Sequence, residues 1–199
     1  MNEETPKPVP TDELEAEIRS LIGGDSAALD RWYRREHPVV WRLCLGFLAD
    51  ANDAEDLAQE AMLKLHDRLD RWDPTRPYPQ WRNSVVLNLC RDKRRRHEAR
   101  RRVEHDAAQV SGEARLPDPS HELEQDELRA LLRRALTVLS EREREAFVLR
   151  ELEGVSSHDA AELMGIAESS LRSLLTLARR RLREFLAHRS PELAGGEHA

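Results

Sequence analysis

Ser140 to His188 reads SEREREAFVLRELEGVSSHDAAELMGIAESSLRSLLTLARRRLREFLAH, and its spacing decides the fold of the C-terminal half. Ser140 followed three residues on by Glu143 is the pattern of a capping box, so a helix opens there and runs to about Glu153, where Gly154 stops it. A short helix, Ser157 to Met164, and a longer one, about Glu168 to Ala187, then flank the turn Gly165-Ile166-Ala167. That order predicts a helix-turn-helix. At 100° per residue, Leu171, Leu175, Ala178, Leu182 and Phe185 fall on one stripe, the expected core face. Opposite lie Ser169, Ser173, Thr176 and Arg180, with Arg172 and Arg183 on a flank and Ser170 completing the candidate DNA-contacting set. Small hydroxyls allow close backbone approach and bond phosphates or base edges, and arginine reaches guanine. An ordinary solvated face has the same polarity; the preceding short helix and turn favour DNA.

Working outward, 35% charged residues, 5% aromatics and sparse glycine, with no sustained apolar–polar alternation, predict an all-α chain of two small helical domains. The net charge of −6 hides segregation: Arg91 to Arg102 holds eight Lys/Arg against two Asp/Glu. Cys44 and Cys90 lack metal-ligand spacing and read as buried free thiols in a reducing cytoplasm. No apolar run reaches membrane-span length and the N-terminus lacks signal-peptide order, so a cytoplasmic protein without membrane insertion is expected. The expected organisation is a lead-in over 1–20, a helical domain over 21–102, a flexible linker over 103–121, the helix-turn-helix domain over 122–189 and a tail over 190–199. The linker carries a glycine, two prolines and little apolar content.

In the first domain, helices are expected near 12–22, 26–48, 53–71 and 79–98, the third capped by Asn52 with Glu55. Leu57, Ala61, Leu65 and Leu69 form its core stripe; Asp53, Asp56 and Glu60 share another side, with Gln59 nearby. Acids in a first turn are favoured by the helix dipole, which does not explain Glu60. A carboxylate metal site needs a Glu-x-x-His pair, and the nearest histidine, His66, stands six residues on, so a metalloenzyme reading is set aside. An acidic surface meeting a basic protein fits better. On the fourth helix Trp81, Ser84, Asn88, Arg91 and Arg95 line one side, beside a proline-rich loop with Trp72 and Tyr78. Aromatics, an amide and arginines suit base stacking and phosphate anchoring, although Trp72 and Trp81 could equally be core. No nucleophile–base pair, metal or cofactor site is evident, so no catalysis is expected.

At these residues a family resemblance emerges. DAEDLAQE, the WRNSVVLNLCRD helix, GGDSAALDRWYRREHPVVWRLCLGFL from Gly23, and ALTVLSEREREAFVLRELEGVSSHDAAELMG together resemble an RNA polymerase sigma factor of the extracytoplasmic-function group, over residues 20–188. The resemblance implies that Asp53, Asp56, Leu57, Gln59 and Glu60 bind the β′ clamp of core RNA polymerase. It implies that Trp72, Trp81, Ser84, Asn88, Arg91 and Arg95 meet the −10 element of promoter DNA, that the helix-turn-helix reads the −35 element beside the β flap, and that an anti-sigma factor holds the protein. The acidic linker, with Glu104, Asp106, Glu113 and Asp118, resembles the segment that threads toward the RNA path. Two departures stand out: Leu174 and Leu177 occupy positions where the family commonly has arginines, and Ser140 replaces a proline. Leu177 is either a lost phosphate contact or an apolar contact to a thymine methyl or partner. The rival reading is a helix-turn-helix regulator acting without polymerase, which leaves the acidic patch and the −10-like helix without a role.

Overall fold

The computed structural model describes residues 11–107 and 124–189. Eight α-helices occur among them: α1 Thr11–Ile22, α2 Ser26–Leu48, α3 Ala51–His66, α4 Tyr78–Ala107, α5 Glu124–Thr137, α6 Glu141–Phe147, α7 Ser157–Met164 and α8 Glu168–Arg189. The all-α expectation holds.

α1 to α4 form the N-terminal bundle. Asp25 caps α2 by accepting from the Ala27 N–H, and the helix runs 23 residues through Pro38 before Ala49, at φ 57°, turns the chain out of it. Asp50, not Asn52, caps α3: its side chain accepts from the Asp53 N–H at 2.9 Å. α3 stops at His66, short of the expected residue 71, and a 3-10 turn at Leu69–Arg71 follows. The reason lies in helical drift. Each four-residue step over-rotates by about 40°, so a continuous helix would carry Leu69 about 120° away from Leu57. The tighter turn returns Leu69 to the core.

Aromatic packing then fixes the start of α4. The Trp32 Nε1–H donates to the Tyr78 hydroxyl at 3.1 Å, and both rings are buried. Arg82 Nη1 donates to Glu36 Oε2 at 3.1 Å, and its Nε and Nη2 donate to Asn83 Oδ1, so a buried ion pair with its polar partners ties α2 to α4.

α1 corrects the expected lead-in. Leu14 and Ile18 are buried in the bundle core, so a boundary at residue 20 would cut a helix that belongs to the bundle. α4 also overruns its expected end, which makes Val103 to Ala107 helix; the rest of the linker and the tail lie outside the described residues.

In the C-terminal half, α5 is an element the sequence reading does not anticipate. Ser140 makes the expected capping box with Glu143, in both directions. After Phe147 the helix widens to a π turn over Val148–Leu152, closed by the Glu153 N–H donating to the Val148 carbonyl at 3.0 Å. Gly154 and Gly165 both sit at positive φ, 64° and 63°, where a side chain would be strained, and Gly165 ends α7. The buried cluster runs without a break from Leu14 through Cys90 to Ala146, Met164 and Leu175. The two halves therefore share one core.

Candidate functional site

Three charged or polar strips stand out once the helices are placed. On α3, Asp56 and Gln59 are exposed and Asp53 and Glu60 half-buried. Gln59 donates to Glu55 at 3.3 Å, and Lys64 bonds Glu60 at 2.5 Å across one turn. Asp53 is held by Lys93 Nζ of α4 at 2.9 Å, with His97 at 3.6 Å. Asp56 has no ion-pair partner among the described residues. Leu57 is buried beneath this strip, so it supports the acids from the core and presents no surface of its own.

The α4 strip divides. Asn88 and Arg95 are exposed, and Trp81 and Ser84 half-buried. Ser84 returns its hydroxyl to the Trp81 carbonyl at 2.7 Å, and Arg95 pairs with Asp92. Trp72 departs from the expectation of base stacking. It is 4% exposed, packs edge-on against Tyr78 with ring centroids 5.7 Å apart, and donates its indole N–H to the Arg76 carbonyl at 3.0 Å. That bond staples the proline loop to the core. Tyr78, fully buried, has its hydroxyl pKa pushed up, first by burial and then by the nearby Glu36. Arg91 is half-buried and turned toward the C-terminal half, where it meets Glu145.

On α8 the projection holds for the polar face and for part of the core stripe, of which Leu182 and Phe185 are half-buried. Ser169, Ser170, Arg172, Ser173, Thr176 and Arg180 are all exposed, and Leu171, Leu175 and Ala178 are buried. The hydroxyls of Ser173 and Thr176 donate to the carbonyls four residues back, at 3.1 and 2.9 Å, which parks them without burying them. Arg180 pairs loosely with Glu184 at 3.8 Å. Leu174 packs on the core, and Leu177 is half-buried instead of lying out in solvent.

Glu36, Arg82, Lys93, Arg94, Arg142 and Glu145 are among the charged residues that sequence reasoning passed over. Periodicity assigns faces within one helix, and their partners come from other helices. Among the described residues no helix is long and apolar enough to cross a membrane.

An all-α body ending in a helix-turn-helix with an exposed polar face defines a class, the helix-turn-helix proteins of transcription. Family models make it specific: sigma-70 region 2 matches residues 32–101, and sigma-70 region 4 matches residues 129–182. The chain is 29% identical to the ECF RNA polymerase sigma factor SigM of Mycobacterium tuberculosis, over 86% of this chain and 83% of the relative. It is 31% identical to the ECF RNA polymerase sigma factor SigE of Mycolicibacterium smegmatis, over 86% and 67%. In structure it is similar to the sigma factor RpoE of Bartonella quintana, solved in complex with the anti-sigma factor NepR, with a TM-score of 0.62, 25% identity, and coverage of 79% of this chain and 96% of that one. The chain belongs to the sigma-70 family, in its extracytoplasmic-function group.

Proposed function

We propose that the chain is an alternative sigma factor that binds core RNA polymerase through α3 and carries it to promoters, with α4 at the −10 element and α8 at the −35 element. Asp56, Gln59 and Glu60 are the groups offered to the β′ clamp, with Asp53 beside them. Trp81, Ser84, Asn88, Arg91 and Arg95 are offered to the −10 DNA, and Ser169, Ser170, Arg172, Ser173, Thr176 and Arg180 to the −35 DNA. The helix-turn-helix half lies against the β flap, the work is done in the cytoplasm where the polymerase is, and the chemistry of bond formation belongs to the polymerase.

The observation that carries this reading is the charge segregation on exposed helix faces of matched segments. An acidic strip repels DNA and attracts a basic protein surface, and the hydroxyl and arginine strip does the reverse. That the related RpoE was solved with an anti-sigma factor supports an anti-sigma partner here.

The test is a titration of core polymerase with the double variant Asp56→Arg, Glu60→Arg. Binding should weaken by about tenfold or more with helicity unchanged, since like charges then face a basic partner. Undiminished affinity would remove α3 from the interface.

A further inference from the structure

Leu174 and Leu177 lie about one turn apart on α8, and the fold treats them differently. Leu174 packs against the core. Leu177 is half-buried, belongs to neither apolar cluster, and follows the exposed Thr176 on the outward side of the helix. An apolar side chain is thus left standing in the middle of the face offered to DNA, where packing does not account for it.

The polar groups around it are less available than their exposure suggests. The Ser173 hydroxyl donates to the Ser169 carbonyl at 3.1 Å and the Thr176 hydroxyl to the Arg172 carbonyl at 2.9 Å. A hydroxyl has one hydrogen, so neither is left to donate to a phosphate or to the acceptors that guanine presents in the major groove; both keep lone pairs that accept. The guanidinium groups nearby are divided in the same way. Arg179 is held by Glu151 at 2.7 Å and Arg181 by Glu143 at 3.1 Å, which ties both to the protein. Arg172 has no ion-pair partner among the described residues, and Arg180 has only Glu184 at 3.8 Å. These two stand eight positions apart, about 12 Å along the helix, with Ser173, Thr176 and Leu177 between them. The centre of the face therefore offers hydroxyl acceptors, the γ-methyl of Thr176 and the Leu177 side chain, and no cation. In the major groove the base pair that sets an amino donor beside a methyl group is A·T: adenine N6–H donates and thymine carries the 5-methyl.

We propose that Leu177, with the γ-methyl of Thr176 beside it, reads thymine methyl groups, so that the −35 element of this chain has A·T pairs at its centre, flanked by the contacts of Arg172 and Arg180. The proposal rests on the reading that α8 faces −35 DNA, and adds which base pairs it selects and by which atoms. Specificity at the centre comes from apolar contact and hydroxyl acceptance, and the two outer arginines supply the charge.

The experiment loads the full chain onto sigma-free core polymerase and selects from a library of duplexes randomised across the promoter length. The enriched duplexes are rebuilt with single thymines of the upstream element replaced by uracil, which removes the 5-methyl group and leaves every hydrogen-bonding atom in place. Binding by the unaltered chain should weaken about fourfold at neighbouring central thymines, the worth of burying one such group. Leu177→Ala, with its helicity checked by circular dichroism, should bind the thymine and uracil duplexes alike, with an unchanged salt slope because no charge is altered. Thr176→Ser, which keeps the hydroxyl and removes the methyl, should lose part of the difference. An upstream element without thymine, or uracil duplexes bound as tightly as thymine ones, overturns the proposal, as does a Leu177→Ala chain that still distinguishes the two. If Leu177→Ala loses helicity, Thr176→Ser decides. A library from which nothing is enriched removes the functional reading and this inference with it, whereas enrichment without sensitivity to the methyl removes this inference alone.

Discussion

Trp72 and Asn88 sit sixteen residues apart on what the sequence presents as one DNA-facing region, and the fold separates them: Trp72 is buried and Asn88 exposed. With Trp72 buried against Tyr78 and bonded to the Arg76 carbonyl, Trp72→Ala should cost about 3–5 kcal/mol, read as a lower thermal midpoint, with promoter opening reduced only through the loss of fold. Asn88→Ala, at an exposed position, should leave the melt unchanged and reduce promoter opening in a reconstituted assay; a lowered melt would return Asn88 to a structural role. Glu145 adds a pH prediction. Burial pushes its carboxyl up, and the hydrogen bonds from Arg91 and Arg94 outweigh that and depress the folded-state pKa, so its stabilisation of the contact between the halves is fully present above the ordinary glutamate value of 4.5 and is lost as pH falls through the lower folded value. Arg91, Arg94 and Arg142 face it, and Glu141, paired with Arg94, and Glu153, paired with Arg42, are further acids close by. Scattering on acidification below pH 4.5 should show the radius growing in the unaltered chain at a pH where Glu145→Gln shows no further change.

At the scale of elements, what was legible was local. Ser140 with Glu143 is written within four residues, and the capping box forms as read; Ser140→Ala should cost about 1 kcal/mol in a denaturant titration. The exposed face of α8 was legible because its period is regular and one side is apolar. α5 was not legible, because it opens in an acidic run that continues the linker, and buried Leu136 and Leu139 meet Ala178 of α8 only across the fold. The Asn52 cap failed because Asp50 caps first. Trp72 failed because burial is a tertiary property and a tryptophan beside prolines suits stacking and packing equally. Leu177 lies between these cases. It is half-buried and outside both apolar clusters, whereas Leu174 packs on the core. Leu177→Arg should keep the fold and steepen the salt dependence of DNA binding by about one unit of slope, and Leu174→Arg should destabilise the chain instead. An unfolded Leu177→Arg would show that its buried part carries the packing.

For the whole molecule, the two expected helical domains are present, and their apolar residues meet in one buried cluster. Cys44 of α2 and Cys90 of α4 lie deep in it, and the Cys90 thiol pKa is raised well above its ordinary value by burial and by the adjacent Cys44, with Arg94 and Glu145 close enough to act on it. Both thiols therefore lie in the buried core, the Cys90 thiol is poorly ionised, and their reaction with an alkylating reagent reports opening of the N-terminal bundle. Because Val148 and Leu149 are buried in the same cluster as Leu43 and Phe47, melting the helix-turn-helix half strips cover from the bundle, and the two should unfold together. Calorimetry should give one transition for the unaltered chain, with Cys44 and Cys90 becoming reactive across it. A Cβ on Gly46 of α2 would lie 3.0 Å from Val148 Cγ2, so in Gly46→Leu, where Val148 loses its place against α2, the helix-turn-helix half should melt first and separately, and the thiols should stay protected until the second transition. Two separate transitions in the unaltered chain would mean that this contact contributes too little to couple the halves, whatever its geometry.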